Sequence, residues 1–287
     1  MRGACRERGA TRRRTPLTLS DRFPDVPGAS MTDGTAALVT ERITMRFGGL
    51  VAVSQVSCTL ERGAVTAMIG PNGAGKTTTF NMISGLLIPS DGRIRFEGSD
   101  ITGWPPHRIA ALGLARTFQN VQLFANLNAL ENVMACRYCR TSSTFLDALL
   151  FLPRDRAERR RMRAVADELL QWVGIWEKRF LMPSELPYGD QRRLEIARAL
   201  ATEPRLIMLD EPSAGMVPAE ARDLMELISK LKQRGLTILL IEHNMSVVMS
   251  ISDRIVVLNF GEKIAEGAPA EIRKDPDVIE AYLGVEA

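Results

Sequence analysis

The chain has 287 residues, of which 45% are hydrophobic and 25% are charged, an ordinary globular composition that argues against a mostly disordered, collagen-like or coiled-coil protein. Its formal charge is +3, but residues 1–30 alone contribute +4, and the remaining residues carry 30 basic and 31 acidic groups. Because the basic excess is confined to one end, it is not the clustered positive face that nucleic-acid binding requires of a folded domain.

The first 30 residues are predicted to form a disordered basic tail. They contain seven arginines and three acids, but they lack the apolar segment of about 7 to 15 residues that a secretion signal needs. Met31 offers an alternative start, in which case this tail would not belong to the native protein. The folded domain is expected over residues 31–287.

The next part of the chain shows a strand, a glycine loop and a helix in that order. Two segments, 38–45 and 51–60, alternate apolar and polar residues and are predicted to be strands. Val65–Ile69 (VTAMI) is a continuous apolar run, which is typical of a central strand covered on both faces. After a glycine-rich loop, residues 76–87 place apolar side chains at helical spacing.

The middle of the chain is predicted to be helical. Residues 90–99 indicate a turn and a short strand, and residues 102–113 indicate a loop that leads into a short helix. Residues 120–185 show no strand signal, and arginine-rich and leucine-rich stretches recur there at helical period, most clearly over Arg154–Val173. This segment is therefore expected to form an inserted helical layer.

A second unit of alternating strands and helices follows the helical layer. Apolar strands are predicted at 206–209, 237–241 and 255–258, and an amphipathic helix at 218–234. None of these apolar runs approaches the ~20 residues that a membrane-spanning helix needs, so the chain is not expected to cross a bilayer. Strands that alternate with helices predict a mostly parallel sheet with helices on both faces.

A phosphate-binding loop is the first motif that carries chemistry. Residues 70–78 (GPNGAGKTT) satisfy the pattern G-x-x-x-x-G-K-[ST], in which backbone N–H groups close around phosphate oxygens at the start of a helix. The lysine contributes a positive charge for the β and γ phosphates, and the first threonine hydroxyl can ligate Mg²⁺. A glycine-rich turn could match by chance, but the flanking strand and helix argue against that alternative. The predicted nucleotide-binding residues are Gly70, Pro71, Asn72, Gly73, Ala74, Gly75, Lys76, Thr77 and Thr78.

Two acidic residues end an apolar strand in the second half of the chain. Residues 206–211 read LIMLDE, and unpaired carboxylates are costly in a buried strand. Since ligands bind at the carboxyl ends of the strands in α/β sheets, these acids indicate a metal-bound nucleotide beside the phosphate loop. Asp210 is expected to hold Mg²⁺, directly or through water, and Glu211 to polarise the attacking water.

These motifs together resemble the ATPase subunits of ABC transporters over nearly all of residues 38–284. The resemblance implies that Gln119, in ARTFQN, senses Mg²⁺ and the attacking water. It implies that His243, which follows TILLIE, contacts the γ-phosphate and orders Glu211, and that Phe47, in MRFGG, stacks on adenine. The implied fold is an α/β P-loop NTPase (RecA-like) core with a mostly parallel sheet, an antiparallel β subdomain and an inserted helical subdomain at about 120–200.

A variant of the family's signature motif lies in front of a predicted helix. In the family, this motif completes the nucleotide site of the opposite subunit, which implies such a role for Tyr188, Gly189, Asp190 and Gln191. The common form is LSGGQ, so Pro187 replaces a serine. Proline removes a hydroxyl and a backbone N–H. Asp190 is expected to cap the following helix.

Another departure lies in the loop PSAGMVP that follows Glu211. Val217 stands there where the family usually has Asp or Asn.

Longer segments resemble the ATPases that energise branched-chain amino acid uptake. They are RTFQNVQLFANLNALENV, LLIEHNMSVVMSISDRIVVLNFGEKIAEG and DPDVIEAYLG. The resemblance implies ATP and Mg²⁺ as ligands, and a head-to-tail dimer with a second ATPase subunit, for which a paralogue is expected. It implies attachment to transmembrane permease subunits at the cytoplasmic face of the inner membrane, with an external solute-binding protein acting indirectly and no nucleic acid as partner.

The permease contact is expected within residues 119–135. There, Val121, Leu123 and Phe124 either form an exposed docking groove or simply cover the helical layer, and the sequence leaves these two interpretations open.

Two other functions are alternatives to uptake. One is an exporter of lipopolysaccharide type, whose ATPase is similar to this sequence along its whole length. The sequence of this chain does not identify the transported solute. A soluble ABC ATPase acting on DNA or ribosomes would usually carry zinc modules, long coiled coils or a second cassette, and the sequence has none of these.

Overall fold

The structure, a computed structural model, describes residues 36–119, 121–140 and 153–283. The predicted tail of residues 1–30 lies outside these ranges. No helix within the described ranges is both long enough and apolar enough to span a membrane.

The described residues form ten strands and nine α-helices. The strands β1 to β10 are Ala36–Phe47, Leu50–Glu61, Val65–Ile69, Asp91–Phe96, Ser99–Asp100, Leu114–Arg116, Leu206–Asp210, Thr237–Ile241, Arg254–Asn259 and Glu262–Gly267. The helices α1 to α9 are Lys76–Ile83, Pro106–Leu112, Ala129–Arg137, Pro153–Trp172, Tyr188–Ala201, Pro218–Gln233, Met245–Ile251, Pro269–Ile272 and Pro276–Leu283.

The strands are arranged in two sheets, as the predicted fold class requires. The larger sheet has the order β10-β9-β3-β8-β7-β6, and every pairing in it is parallel except that of β10 with β9. The smaller sheet has the order β2-β1-β4-β5 and is antiparallel. Strands β3, β7 and β8 are buried along their whole length, which confirms the interpretation of their continuous apolar runs.

Helices α3, α4 and α5 pack against one another and share a hydrophobic core with one face of the larger sheet. The buried face of α4 includes Met162, Val165 and Leu169, whereas the arginines between residues 156 and 163 are exposed. The described part of residues 120–185 contains helices and no strand.

Several elements differ from the sequence-based predictions. The helix predicted over 76–87 ends at Ile83, because Gly85 adopts a left-handed backbone with φ of 75°. Strand β6 has only three residues, too few to show a period in the sequence. Strand β10 and helices α7 to α9 are also absent from the sequence-based predictions. The sequence of β10, EKIAEG, is half-exposed and rich in charge, and the three helices are short.

The parallel strands bring three separate parts of the chain to one edge of the larger sheet. Strand β3 ends at the phosphate loop, β7 ends at Asp210, and β8 ends just before Glu242. Because neighbouring parallel strands share a direction, their carboxyl ends meet at the same edge. The phosphate loop, Asp210 with Glu211, and the residues that follow β8 therefore meet at this edge.

Candidate nucleotide-binding site

The phosphate loop fits tightly between β2 and β9 at two of its glycines. A Cβ atom on Gly70 would lie 2.0 Å from the carbonyl oxygen of Leu258, and a Cβ atom on Gly75 would lie 2.8 Å from that of Ala52. Both glycines also have positive φ, at 149° and 95°, which other residues rarely adopt. The glycines at these two positions are therefore required by space as well as by backbone conformation.

Lys76 is held inside this loop. Its Nζ donates hydrogen bonds to the carbonyl oxygens of Gly70 at 2.7 Å and Pro71 at 2.8 Å. Burial lowers the pKa of Lys76, and the negative charges of Glu211 and Asp210 oppose this shift. The amine therefore lies within electrostatic reach of both acids.

The loop continues into α1, whose first turn carries the other predicted phosphate-loop residues. Thr77 is exposed and Thr78 is half-buried. The hydroxyl of Thr79 donates to the carbonyl oxygen of Gly75 at 3.0 Å, which closes the first turn of the helix. Thr77 is thus the most exposed of these three threonines.

Glu211 lies at the centre of the predicted catalytic residues. Its Oε1 is 2.8 Å from Nε2 of His243, and its Oε2 accepts a hydrogen bond of 3.1 Å from Nε2 of Gln119. Its φ is 47°, a conformation that costs free energy in a residue with a side chain and that clusters at functional sites. The structure thus brings together three residues that are far apart in sequence.

Asp210 is buried and paired. Its Oδ2 lies 3.1 Å from Nη2 of Arg116, and both side chains are under a tenth exposed. Burial raises the pKa of Asp210, while the Arg116 guanidinium opposes this shift. Arg116 was not among the predicted site residues, because a single arginine at the end of a three-residue strand has no sequence signal.

Phe47 lies at the turn of the β1–β2 hairpin, where it pairs with Leu50. Its side chain is 47% exposed. The same hairpin approaches the phosphate loop through Ala52 and Val53, which lie within 3.1 Å of the Cβ position of Gly75. An exposed aromatic ring is therefore present on the hairpin that also contacts this loop.

The signature residues begin α5, and here one prediction is wrong. Asp190 does not cap the helix, since Pro187 occupies the N-cap position and Asp190 lies in the first turn. Its carboxylate instead forms an ion pair with Lys178. The reason is that the helix begins at Tyr188, two residues before Asp190, so that Asp190 is already inside the first turn and not at its start.

The signature residues are separate from the phosphate loop within one chain. Tyr188 is 40% exposed and its hydroxyl accepts hydrogen bonds from Arg192. Gly189 is buried beside Glu220. The side-chain amide of Gln191 donates to the carbonyl oxygen of Leu186 at 2.9 Å. In the described residues, no hydrogen bond or ion pair joins these signature residues to the phosphate loop.

A buried ion pair links the signature helix to Gln119, and sequence reasoning missed it. Arg192 and Glu195 lie 3.1 Å apart with their side chains almost fully buried. Arg192 donates to the carbonyl oxygens of Phe118 and Gln119, and Glu195 accepts from the N–H of Phe118. The signal was a pair of opposite charges at i and i+3 on an otherwise apolar helix face.

The three apolar residues of the predicted permease contact have different surroundings. Val121 is half-buried, and Leu123 is half-buried and packs against the core shared with the helical layer. Phe124 is 47% exposed, and the guanidinium of Arg198 lies 4.7 Å from its ring centroid. Only Phe124 has the exposure that a docking groove needs, and Leu123 covers the helical layer.

Two family profiles match the chain. A family profile described as "ABC transporter" matches residues 53–214. A second profile, described as "Branched-chain amino acid ATP-binding cassette transporter", matches residues 262–287.

Curated relatives agree with both profiles. The chain is 49% identical over 243 residues to the high-affinity branched-chain amino acid transport ATP-binding protein BraF of Pseudomonas aeruginosa, covering 84% of this chain and 95% of that protein. It is 44% identical to the protein LivG of Escherichia coli, which carries the same description, with the same coverage. It is 36% identical to the lipopolysaccharide export system ATP-binding protein LptB of Haemophilus influenzae, covering 86% of this chain and 97% of that protein.

Solved structures share the fold. A nucleotide-free ATP-binding cassette from an ABC transporter superposes with a TM-score of 0.75 at 34% identity, covering 86% of this chain and 98% of that one. A cassette dimer in a post-hydrolysis state, bound to ADP and phosphate, has a TM-score of 0.69 at 25% identity, covering 81% of this chain and 98% of that one.

Proposed function

The chain belongs to the ABC transporter family, whose ATP-binding subunits hydrolyse ATP to power transport, and on that premise we propose that it energises uptake of branched-chain amino acids through a separate membrane permease. The observation that carries the hydrolytic part is the contact of Glu211 with both His243 and Gln119 beside the phosphate loop. The substrate class is supported by the profile match over residues 262–287 and by the identity to BraF and LivG.

The residues at the sheet edge suit Mg²⁺ and ATP. Thr77 offers a hydroxyl oxygen, Asp210 a carboxylate and Gln119 an amide oxygen, and oxygen donors of this kind are the ligands that Mg²⁺ prefers. These three residues would hold the ion, which supplies charge neutralisation for the phosphates when it is bound. The backbone N–H groups of residues 70–78 and the amine of Lys76 would bind the phosphate oxygens.

Glu211 would orient the attacking water. One of its carboxylate oxygens lies against His243 and the other against Gln119, so the carboxylate is fixed on both sides. Its side chain is 18% exposed and that of His243 is 45% exposed, which leaves both open to substrate. Positioned side chains contribute through orientation and electrostatics in this class of reaction.

A complete site would need a second ATPase subunit. Within the described residues, Tyr188, Gly189, Asp190 and Gln191 form no hydrogen bond or ion pair with the phosphate loop of their own chain. They would instead meet the nucleotide bound to a partner, a paralogue in a head-to-tail dimer. The buried pair of Arg192 and Glu195 would connect that contact to Gln119. The assembly would lie at the cytoplasmic face of the inner membrane, bound to the permease, with the solute-binding protein acting from outside.

Pro187→Ser is expected to strengthen the signature end of the helix. A serine at the N-cap position can accept a backbone N–H of the first turn, which should add about 1 kcal/mol to the free energy of unfolding. If the hydroxyl also reaches the partner's nucleotide, ATPase activity of the assembled transporter should rise by up to roughly tenfold. Thermal unfolding and ATP hydrolysis are measured on the same preparations. A higher melting temperature with unchanged hydrolysis would show that the serine only caps the helix and does not reach the partner's nucleotide.

The proposed function is tested by uptake in cells. Deletion of the gene should abolish accumulation of labelled leucine, isoleucine and valine from low external concentrations, and the wild-type gene should restore it. Lys76→Ala, expressed at the same level, should not restore it. Normal uptake of all three amino acids together with defective delivery of lipopolysaccharide to the cell surface would instead favour the exporter function that LptB represents.

A further inference from the structure

Arg116 joins three parts of the nucleotide site that are remote from one another in sequence. It ends β6 and precedes Gln119 by three residues. Its Nη2 donates to Oδ2 of Asp210 at 3.1 Å, at the end of β7. Its Nη1 donates to Oδ1 of Asn81 at 2.7 Å and to the hydroxyl of Ser84 at 2.9 Å, both at or just after the helix that follows the phosphate loop.

The guanidinium of Arg116 is held in one orientation. The ring centroids of Phe80 and Phe118 lie 5.7 Å and 5.3 Å from its central carbon. The guanidinium is planar, and its two terminal nitrogens donate to different partners. Its orientation is therefore fixed by hydrogen-bond geometry as well as by charge. A lysine at this position would keep the charge but could not reach both sets of partners from one rigid plane.

The ion pair between Arg116 and Asp210 is buried. The side chain of Arg116 is 7% exposed and that of Asp210 is 3% exposed, so water is largely excluded from the contact. The role that Asp210 has in the proposed function depends on where its carboxylate points. A hydrogen-bonding partner that orients a ligating carboxylate typically changes metal affinity or activity by ~10- to 100-fold when it is removed.

We propose that Arg116 is a positioning residue that fixes the Asp210 carboxylate for Mg²⁺ by anchoring it to Asn81 and Ser84. It would act through Asp210, and its two terminal nitrogens are already bonded to protein groups. The inference rests on the proposed role of Asp210 in holding Mg²⁺. The Arg116 side chain would thereby align the helix after the phosphate loop with the strand that carries Asp210.

The test measures the Mg²⁺ dependence of nucleotide binding with the full chain. A fluorescent ATP analogue is titrated at a series of Mg²⁺ concentrations, and ATP hydrolysis and thermal unfolding are followed on the same samples. Two variants weaken the anchor: Arg116→Lys keeps the charge, and Asn81→Ala leaves Arg116 and Asp210 unchanged. Arg137→Lys is the matched control, since Arg137 forms a part-buried ion pair with Glu203 in the helical layer.

The expected result is a rise of roughly tenfold in the Mg²⁺ concentration for half-maximal binding with Arg116→Lys, and a smaller rise with Asn81→Ala. Binding without Mg²⁺ should be unchanged in both, and Arg137→Lys should match the wild type. A lower melting temperature with an unchanged Mg²⁺ midpoint would overturn the proposal, because Arg116 would then only stabilise the fold. A lower midpoint would also overturn it, since Arg116 would then compete with the ion.

The Mg²⁺ dependence of the wild type distinguishes a failure of the proposed Asp210 role from a failure of the Arg116 role. If nucleotide binding by the wild-type chain does not depend on Mg²⁺, the proposed role of Asp210 fails. If the wild type depends on Mg²⁺ and both variants behave like it, only the role of Arg116 fails.

Discussion

Glu211→Gln is expected to abolish ATP hydrolysis while leaving ATP binding intact. Glutamine keeps the shape of the side chain but removes the charge that would accept a proton from, or orient, the attacking water. Loss of such a group typically lowers the rate by ~10²- to 10⁴-fold. The phosphate loop and Lys76 are unchanged, so the variant should bind ATP with Mg²⁺ and accumulate in the ATP-bound complex with its partner ATPase.

The result is measured as turnover and ATP retention on one preparation that contains the permease. Glu226→Gln is the matched control, because Glu226 is an exposed glutamate on α6 and its charge plays no part in the proposed site. Turnover near the wild-type level in Glu211→Gln would remove Glu211 from the proposed role. His243 or Gln119 would then be the candidates for positioning water.

Lys76→Ala is expected to fail at an earlier step, which is ATP binding itself. The variant would lose the charged hydrogen bond to phosphate that is proposed for Lys76, worth about 1.5 to 3 kcal/mol, which corresponds to roughly a 10- to 100-fold weaker affinity. It also loses the two bonds from Nζ to the carbonyl oxygens of Gly70 and Pro71, so the empty loop should be less ordered. Hydrolysis should fall with occupancy.

Equilibrium binding of labelled ATP checks this expectation. Lys232→Ala is the control, since Lys232 is paired with Asp253 away from the phosphate loop. Lys76→Ala and Glu211→Gln should both be nearly inactive, but only Glu211→Gln should retain nucleotide. Wild-type affinity in Lys76→Ala would contradict the phosphate-binding role of this amine.

The predicted permease contact shows how much a run of apolar residues in a sequence can tell about their exposure. Val121, Leu123 and Phe124 are all apolar, and nothing in the sequence distinguishes an exposed residue among them from a buried one. The structure turns Leu123 toward the core and leaves Phe124 47% exposed. Which of three neighbouring apolar residues faces water depends on the path of an irregular segment, for which there is no period in the sequence.

The fold prediction succeeded where the signal was local and continuous. The runs at β3, β7 and β8 are buried on both faces, so each is apolar throughout and was identified with nearly the observed bounds. Strand β6 failed this criterion because three residues carry no pattern. Its existence depends on a partner strand, β7, about 90 residues later in the chain.

By itself, the sequence determined the phosphate loop, because its chemistry requires adjacent residues in a fixed order. It also determined the buried strands, because burial on both faces requires unbroken apolar runs. Only the tertiary structure decided that Gln119 meets Glu211 across 92 residues and that Arg116 meets Asp210 across 94. It also decided that the carboxylate of Asp190 pairs with Lys178 rather than capping its own helix. These contacts depend on the order of β6, β7 and β8 and on how the helices pack beside them, and no short segment of the chain encodes that order.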